Sequence, residues 1–288
     1  MSLKTAGYRG WASSPLGFVR RIWAAAYEDN ILFLASALTF QALLAAFPIF
    51  LLALATLGYF VHSTDVAVAD IRRLMENVIP SAGQDEANPF MQVERFIRSI
   101  EASRAQLSIY GVPLFLWFST RFFSGARAAL NDIFDTRENR PFLVGIGIDF
   151  FLVIASLVMV VLNAVVTVKV IEFPFLGRFA MEVSTFGLAL VSFFIIYTIA
   201  PTRRVRWDTA LVASAVAALG FEVTKKLYVV YLLRFATLDR LISNTNGIAL
   251  LFLVVWIYLM VCVFLIGAEV GETYDMGRRQ REQRAVLV

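Results

Sequence analysis

Three charged residues stand close together in a stretch of the chain that is otherwise apolar. Residues 209–233 are long enough to cross a bilayer, and within them Glu222 precedes Lys225 and Lys226 by three and four positions. This spacing puts all three side chains on one face of a helix. Counted from Asp208, Glu222 is 14 residues into the helix, roughly 21 Å at 1.5 Å per residue.

Two interpretations of this charged group remain open. In the first, Glu222 neutralises the lysines, whose long side chains reach outward to the lipid headgroups. In the second, the group lines a water-filled cavity, and the lysines attract anionic groups. Ionisable residues at membrane depth are costly and commonly belong to substrate or ion pathways, so we treat the three as candidates for a substrate path.

Five further positions are candidates for the same path. Gln41 precedes Pro48 in an apolar run, and a proline inside a helix frees a backbone carbonyl for other partners. Asn163 is a polar residue deep in another apolar run. For Gln41 and Asn163 a hydrogen bond between helices is the competing interpretation. Asn244 and Asn246 precede the last apolar run, where they cap a helix or line an entrance.

Other polar residues near the ends of the apolar runs are expected to have structural or gating roles. Asp149 lies one to two turns inside the run that begins at Phe142, and either Arg127 or Arg140 is a plausible ion-pair partner for it. Glu269 directly follows the last apolar run. We expect it to form an ion pair at a helix end.

The sequence offers little for covalent or metal chemistry. One His and one Cys are too few for a zinc site or a Cys–His pair. No glycine-rich phosphate loop followed by Lys-Ser/Thr is present. The carboxylate pairs Asp85–Glu86 and Asp132/Asp135 fall in polar stretches, where solvated side chains are the simpler interpretation. We therefore expect no enzyme, no cofactor, no metal and no ATPase within the chain.

The candidate residues belong to a chain with the composition of a membrane protein. Hydrophobic residues make up 59% of it, charged residues 17%, and the mean hydropathy is +0.72, whereas soluble domains are about half apolar and a quarter charged. Six apolar runs are long enough to cross a bilayer: residues 31–61, 107–123, 142–168, 181–200, 209–233 and 247–268. We predict an all-α bundle of six transmembrane helices.

Two segments flank this membrane domain of residues 31–269, and one long loop lies within it. Residues 1–30 carry Phe18, Ile22 and Trp23 on one helical face, which predicts an amphipathic helix on the membrane surface. Residues 62–106 form a polar loop outside the cytoplasm, with amphipathic pieces at 66–78 and 90–103 that are surface-bound or inserted. Residues 270–288 are a basic tail.

The placement of Lys and Arg predicts the orientation. The short connections on the side that holds both termini are rich in arginine, including Arg137 and residues 203–206, so both termini are expected in the cytoplasm. This bias also accounts for the net charge of +4 and the pI near 9.3. We therefore expect no nucleic-acid partner.

The order of these features resembles the BrkB/YihY family of bacterial inner-membrane proteins, once labelled ribonuclease BN. The resemblance covers about residues 20–275. It rests on the segments 37–48, 129–140, 222–231 and 247–269, the last with Trp256-Ile-Tyr258 and Gly267-Ala-Glu269. The second segment adds Asn131 to the structural candidates. The resemblance implies six helices and localisation in the bacterial inner membrane, and it points to transport without defining a substrate.

Three hypotheses about function follow. The first is a transporter or flippase-like protein for a lipid or other amphipathic anion, with membrane lipids as its partners. The second is a scaffold that anchors an envelope-spanning partner protein through residues 62–106. The remote alternatives are a small-solute exporter or, as in the old family label, a ribonuclease acting through Asp132 or Asp135. The sequence leaves the oligomeric state open.

Overall fold

The computed structural model describes residues 15–60, 89–136, 140–171, 177–239 and 246–286. Every regular element within these ranges is a helix, which confirms the predicted all-α class for them. The elements, in chain order, are α1 (Pro15–Glu28), α2 (Ile31–Phe60), α3 (Pro89–Ile133), α4 (Phe142–Ile171), α5 (Gly177–Ile199), α6 (Trp207–Asp239) and α7 (Asn246–Val286).

Four stretches of these helices are long and apolar enough to cross a membrane. They are Ile31–Ala53 in α2, Phe142–Val166 in α4, Ala180–Ile199 in α5 and Leu253–Gln280 in α7. The other two predicted runs, 107–123 and 209–233, lie inside α3 and α6; the first contains Arg121 and the second contains Glu222, Lys225 and Lys226. The protein is therefore a helical membrane protein with at least four candidate spans among the described residues.

The surface of α4 fits a lipid environment. Phe142, Leu143 and Val160 expose 80%, 79% and 66% of their area, and most large apolar residues between them are also exposed. Water-facing surfaces of monomeric proteins rarely carry an apolar patch of this extent, whereas a bilayer solvates it.

Two helices extend further than the sequence indicates. The predicted amphipathic piece at 90–103 is not separate: it belongs to the 45-residue helix α3, because no Gly or Pro interrupts the chain between Ser103 and Leu107. The piece at 66–78 lies outside the described residues. Likewise α7 continues past Glu269 to Val286, and Arg278 and Glu282 pair across one of its later turns at 2.9 Å.

The predicted amphipathic helix near the N-terminus is α1. It packs against α7 and leaves Trp23 and Tyr27 78% and 82% exposed. Asn30 separates it from α2 with a left-handed φ of 52°, a conformation that ends helices. Its carbonyl also accepts the first bonds of α2, from the backbone N–H groups of Phe33 and Leu34.

The chain divides into two compact units. Leu43–Ser119 form one unit, in which α2 continues through the buried Pro48. Its two helices come close at Gly111, where an added Cβ would lie 3.0 Å from Leu52 Cδ2. The other unit holds the described residues up to Ala42 and from Thr120 onward, and the candidate site lies within it.

Candidate functional site

Small residues bring α6 and α7 close together. Ala213 and Ala217 of α6 are fully buried. Opposite them, a Cβ added to Gly267 of α7 would lie 2.8 Å from Ala217 Cβ and 2.7 Å from the Tyr197 hydroxyl. Close approach of this kind is typical of helices packed in lipid. It agrees with the sequence of α6, in which small residues share one helix face: Ala210, Ala213, Ser214, Ala217 and Gly220.

Four aromatic rings form a column beside this helix pair. Tyr197 and Phe264 stack with their centroids 5.3 Å apart and their planes 8° apart. Phe193 stacks on both at 6.1 and 6.2 Å and meets the edge of Phe221 at 6.0 Å. The Tyr197 hydroxyl also donates a 2.6 Å hydrogen bond to the Phe264 carbonyl. This aromatic column links α5, α6 and α7 and holds its rings in defined positions.

An apolar cavity of about 320 Å³ lies against the aromatic column and is partly open. Helices α2, α3, α5, α6 and α7 contribute its walls, and none of the lining side chains is charged. The lining residues are Leu38, Ala42, Phe122, Phe123, Ala126, Phe193, Ile196, Phe221, Trp256, Ile257, Met260, Val261 and Phe264. The volume falls within the range of ligand-binding pockets.

A charged pair adjoins the Phe221 wall of this cavity. Lys225 Nζ lies 2.7 Å from Glu222 Oε1 and 5.4 Å from the centroid of the Phe221 ring. Lys226 instead lies 3.9 Å from Glu182 of α5, and both of these side chains are about two-thirds exposed. The structure thus divides the predicted group: Glu222 and Lys225 belong together, and Lys226 faces another acid.

Asp149 has one of the two partners expected for it. Its Oδ2 lies 2.9 Å from Arg127 Nη2, while Arg140 donates to the Ile199 and Pro201 carbonyls at 3.2 and 2.6 Å. The pKa of the Arg140 guanidinium is lowered from its usual value, mainly by burial and then by the charge of Arg127; the charge of Asp149 opposes this shift. These residues join the end of α3 to α4 and to the end of α5.

A network centred on Arg203 closes the same end of the helices. Arg203 donates to Glu272 at 3.0 Å, to Asp275 at 2.7 Å and to the Phe134 carbonyl at 3.2 Å. Both carboxylates are buried, and Arg279 also contacts Asp275 at 2.9 Å. We call this group the Arg203 network. It ties the link between α5 and α6 to α3 and α7.

Asn131 holds the same link by a two-way contact. It donates to the Thr202 hydroxyl at 3.1 Å and accepts from the Thr202 backbone N–H at 2.8 Å. Asp135, two residues beyond the end of α3, has a left-handed φ of 46°. The Thr136 N–H then bonds the Asn131 carbonyl, as in a Schellman motif. Asn131 therefore has a structural position, holding the link between α5 and α6 against the end of α3.

The remaining candidates are not assembled with the cavity. Gln41 packs on α3, where an added Cβ at Gly125 would collide with its amide. Asn163 is partly exposed on α4, and Asn246 is the first residue of α7. Asn244 lies outside the described residues. Glu269 is buried within α7, 1% exposed, and so does not stand at a helix end.

Sequence reasoning missed the aromatic column, Trp256 as a cavity residue, Glu182 and the Arg203 network. The aromatic residues are spread over three helices in a chain with 26 Phe, so no spacing distinguishes those that line a cavity. Glu272 and Asp275 were read as part of a polar tail, although their spacing of three marks one helix face. Among the described residues no group of three or more His, Cys, Asp or Glu is arranged to hold a metal ion.

Comparison with known proteins gives one family and several relatives. The family model described as "Virulence factor BrkB" matches residues 22–286. A UPF0761 membrane protein of Alteromonas mediterranea is 27% identical over 272 residues, covering 90% of this chain and 89% of the relative. A UPF0761 membrane protein of Cronobacter sakazakii is 24% identical, covering 93% and 91%. No solved structure matches the chain.

Proposed function

Because this chain belongs to the BrkB family of membrane proteins, we propose that it moves a lipid or other amphipathic anion across the bacterial inner membrane. The observation that carries the proposal is the apolar cavity with a Glu222–Lys225 pair beside its Phe221 wall. The chain needs no ATPase of its own in this proposal. Movement is passive, ion-coupled or driven by a partner.

The two parts of the site match the two parts of an amphipathic solute. The cavity offers an apolar surface made partly of aromatic rings. Burial of an alkyl chain there is favourable relative to water by about 0.8 kcal/mol per methylene, and relative to the bilayer it is close to neutral, because lipid tails are equally apolar. Lys225 offers a positive charge, and an incoming phosphate or carboxylate competes with Glu222 for it. Since Glu222 is present, the site also holds no uncompensated charge when it is empty.

The topology proposed for this function has six transmembrane helices and both termini in the cytoplasm. Two further spans complete the four candidate spans: the apolar parts of α3 and α6, which contain residues 107–123 and 209–233. The arginine-rich ends, including Arg140 and Arg203, then face the cytoplasm. In this arrangement the Arg203 network closes the cytoplasmic end.

The proposal does not make the protein an enzyme and assigns it no nucleic-acid partner. Membrane lipids are its proposed partners, as substrate and as solvent. The scaffold hypothesis needs residues 62–106 as a docking surface; of these, 89–106 belong to the continuous helix α3 and the rest lie outside the described residues. A lipid-moving activity that persists in the purified chain distinguishes the two hypotheses, because a scaffold alone has none.

The test is scrambling of fluorescent phospholipids in liposomes that contain the purified protein. We expect the wild type to accelerate exchange between leaflets and Lys225→Ala to lower the rate, whereas Lys225→Arg keeps the charge and retains most of it. Lys226→Ala is the matched control, because Lys226 is adjacent in sequence but exposed, and its contact with Glu182 is longer, at 3.9 Å. Exchange no faster than in empty liposomes refutes lipid movement. Equal loss in both alanine variants refutes the role of Lys225.

A further inference from the structure

We infer that Lys225 and Lys226 lie at a lipid–water boundary of the membrane, level with the phospholipid headgroups of one leaflet, and not at mid-bilayer depth. The headgroup layer is therefore the partner of this face of α6. This placement is independent of the proposed function, since it holds whether or not the protein moves lipid. Three features carry it: the length of α5, the contact between α5 and α6, and the register of α6 against α7.

The candidate span in α5 is only just long enough to cross a bilayer. It runs from Ala180 to Ile199, which is 20 residues, and about 20 are needed to cross the hydrocarbon core. Arg178 precedes it and Arg203 follows it. Each end of this span therefore lies at a boundary, and Glu182, its third residue, lies at one of them.

Glu182 connects this boundary to α6. Its Oε2 lies 3.9 Å from Lys226 Nζ, and about two-thirds of each side chain is exposed. Charges that face hydrocarbon are costly, whereas at the boundary water and headgroups solvate them. The contact therefore places Lys226, and with it the preceding Lys225, at the boundary that Glu182 reaches.

The register of α6 against α7 provides a second measure of depth. A Cβ added to Gly267 of α7 would lie 2.8 Å from Ala217 Cβ of α6, and a Cβ added to Gly220 of α6 would lie 2.7 Å from Val263 Cγ1 of α7. Along these contacts the position on α7 moves back as the position on α6 advances. The two helices are therefore antiparallel and stay in register, so a distance measured along one applies to the other.

The contacts at the two ends of this helix pair are one hydrocarbon core apart. Asp208 contacts Arg278 at one end, and the ring centroids of Tyr228 and Trp256 lie 5.0 Å apart at the other. The 20 residues from Asp208 to Tyr228 rise about 30 Å, which is the thickness of the core. We call the second end the Tyr228 boundary. Lys225 precedes Tyr228 by three residues, about 5 Å along the helix.

Aromatic residues are present at both ends. Trp and Tyr are enriched where headgroups meet hydrocarbon. Trp207, the first residue of α6, is 79% exposed, and Tyr228 and Trp256 are partly exposed at the other end. Val230 and Leu251 are exposed two and five residues beyond these rings. They fall within the interfacial layer, which adds about 5–8 Å on each side of the core.

This frame also sets the depth of Glu222. It precedes Tyr228 by six residues, so it lies about 9 Å from the Tyr228 boundary. The Arg203 network lies at the other end, because Asp275 precedes Arg278 by one turn of α7. Where the proposed function holds, a phosphate therefore meets Lys225 from the leaflet opposite the Arg203 network.

The experiment measures depth by electron paramagnetic resonance of spin labels on single cysteines, from their collisions with oxygen and with a water-soluble nickel chelate in nanodiscs. Leu211, Leu219 and Leu227 are exposed on α6 at intervals of eight residues, so labels there leave the packing intact. We expect the Leu219→Cys label to be the deepest, the Leu227→Cys label to be about 12 Å shallower, and the Leu211→Cys label to lie near the opposite boundary. A Leu227→Cys label as deep as the Leu219→Cys label overturns the inference.

Helix α5 supplies an independent comparison. Val183 follows Glu182 directly, Val191 comes eight residues later, and both are exposed. The Val183→Cys label should report the same depth as the Leu227→Cys label, and the Val191→Cys label should be about 12 Å deeper. Different depths at Val183 and Leu227 show that α5 and α6 do not reach one boundary together, and that result also overturns the inference.

The wild type sets the background, because its one cysteine, Cys262, is buried; Cys262→Ser removes any label that it accepts. If a labelled variant does not fold, Val223→Cys and Val230→Cys repeat the comparison on exposed positions of α6, with Val230→Cys expected about 10 Å shallower. The scrambling assay is separate. A Leu227→Cys label at the boundary without scrambling keeps this placement and refutes lipid movement, and scrambling with a deep Leu227→Cys label does the reverse.

Discussion

Replacement of Arg203 by alanine should destabilise the protein more than any nearby surface substitution. Arg203 is the cation that contacts both buried carboxylates, Glu272 at 3.0 Å and Asp275 at 2.7 Å. The side chains of these acids are only 6% and 3% exposed. Removing Arg203 therefore leaves two buried carboxylates without their shared partner, and Asp275 keeps its contact with Arg279 at 2.9 Å.

The expected magnitude follows from this geometry. Removing one partner of a buried ion pair costs about 3–5 kcal/mol. Because Arg203 is itself 24% exposed and Arg279 remains, we expect the lower end, about 3 kcal/mol. For a chain of this size that corresponds to a fall of roughly 6–12 °C in apparent melting temperature.

The assay heats the purified protein in detergent and measures the fraction that stays monodisperse in size-exclusion chromatography. Arg204→Ala is the matched control, since Arg204 is the exposed neighbour and surface substitutions usually change stability by at most about 0.5 kcal/mol. Adding Glu272→Gln and Asp275→Asn to Arg203→Ala removes the buried charges and should recover part of the loss. If Arg203→Ala and Arg204→Ala melt within about 2 °C of each other, the Arg203 network does not stabilise the fold.

Two further predictions concern other contacts of the same unit. Gly267→Ala should destabilise the protein by about 1–3 kcal/mol, because the new Cβ would meet the Tyr197 hydroxyl at 2.7 Å. Gly277→Ala is the control: its Cβ would enter open space, so this variant should be neutral or stabilising. Equal melting temperatures for the two variants would contradict the close approach of α6 and α7. Asp149→Ala should cost about 3 kcal/mol by leaving Arg127 unpaired in a half-buried position, whereas the double change Arg127→Met/Asp149→Leu should recover most of it. A double variant no more stable than Asp149→Ala would show that the pair's charge is not the cause.

Helix placement was the part of the fold that the sequence predicted best. The apolar runs at 31–61, 142–168, 181–200 and 247–268 each overlap one of the four candidate spans, because length and hydropathy are local properties of the chain. The helix ends were less accurate. The expected boundaries at 106 and 269 fall inside α3 and α7, since a change from apolar to polar residues marks the edge of a membrane and does not end a helix.

Two of the ion pairs that the sequence predicted are present in the structure. Glu222 and Lys225 pair as the i,i+3 spacing indicates, and Asp149 pairs with one of its two expected arginines. Lys226 shows the limit of this reasoning, because its acid, Glu182, comes from another helix 44 positions away. For Gln41, Asn163, Asn244 and the other path candidates, a functional role stays a prediction.

By itself the sequence determined that this is an all-helical membrane protein, which small residues share one face of α6, and that Glu222 and Lys225 lie one turn apart on that helix. These follow from hydropathy, helical periodicity and residue size, which act over a few turns. Only the tertiary structure decided that Phe193, Phe221 and Phe264 stand in one column, that Trp256 lines an apolar cavity, and that Arg203 meets two buried acids. Each of these depends on how helices distant in sequence pack, and packing selects among many equivalent apolar and charged residues through contacts that no local pattern records.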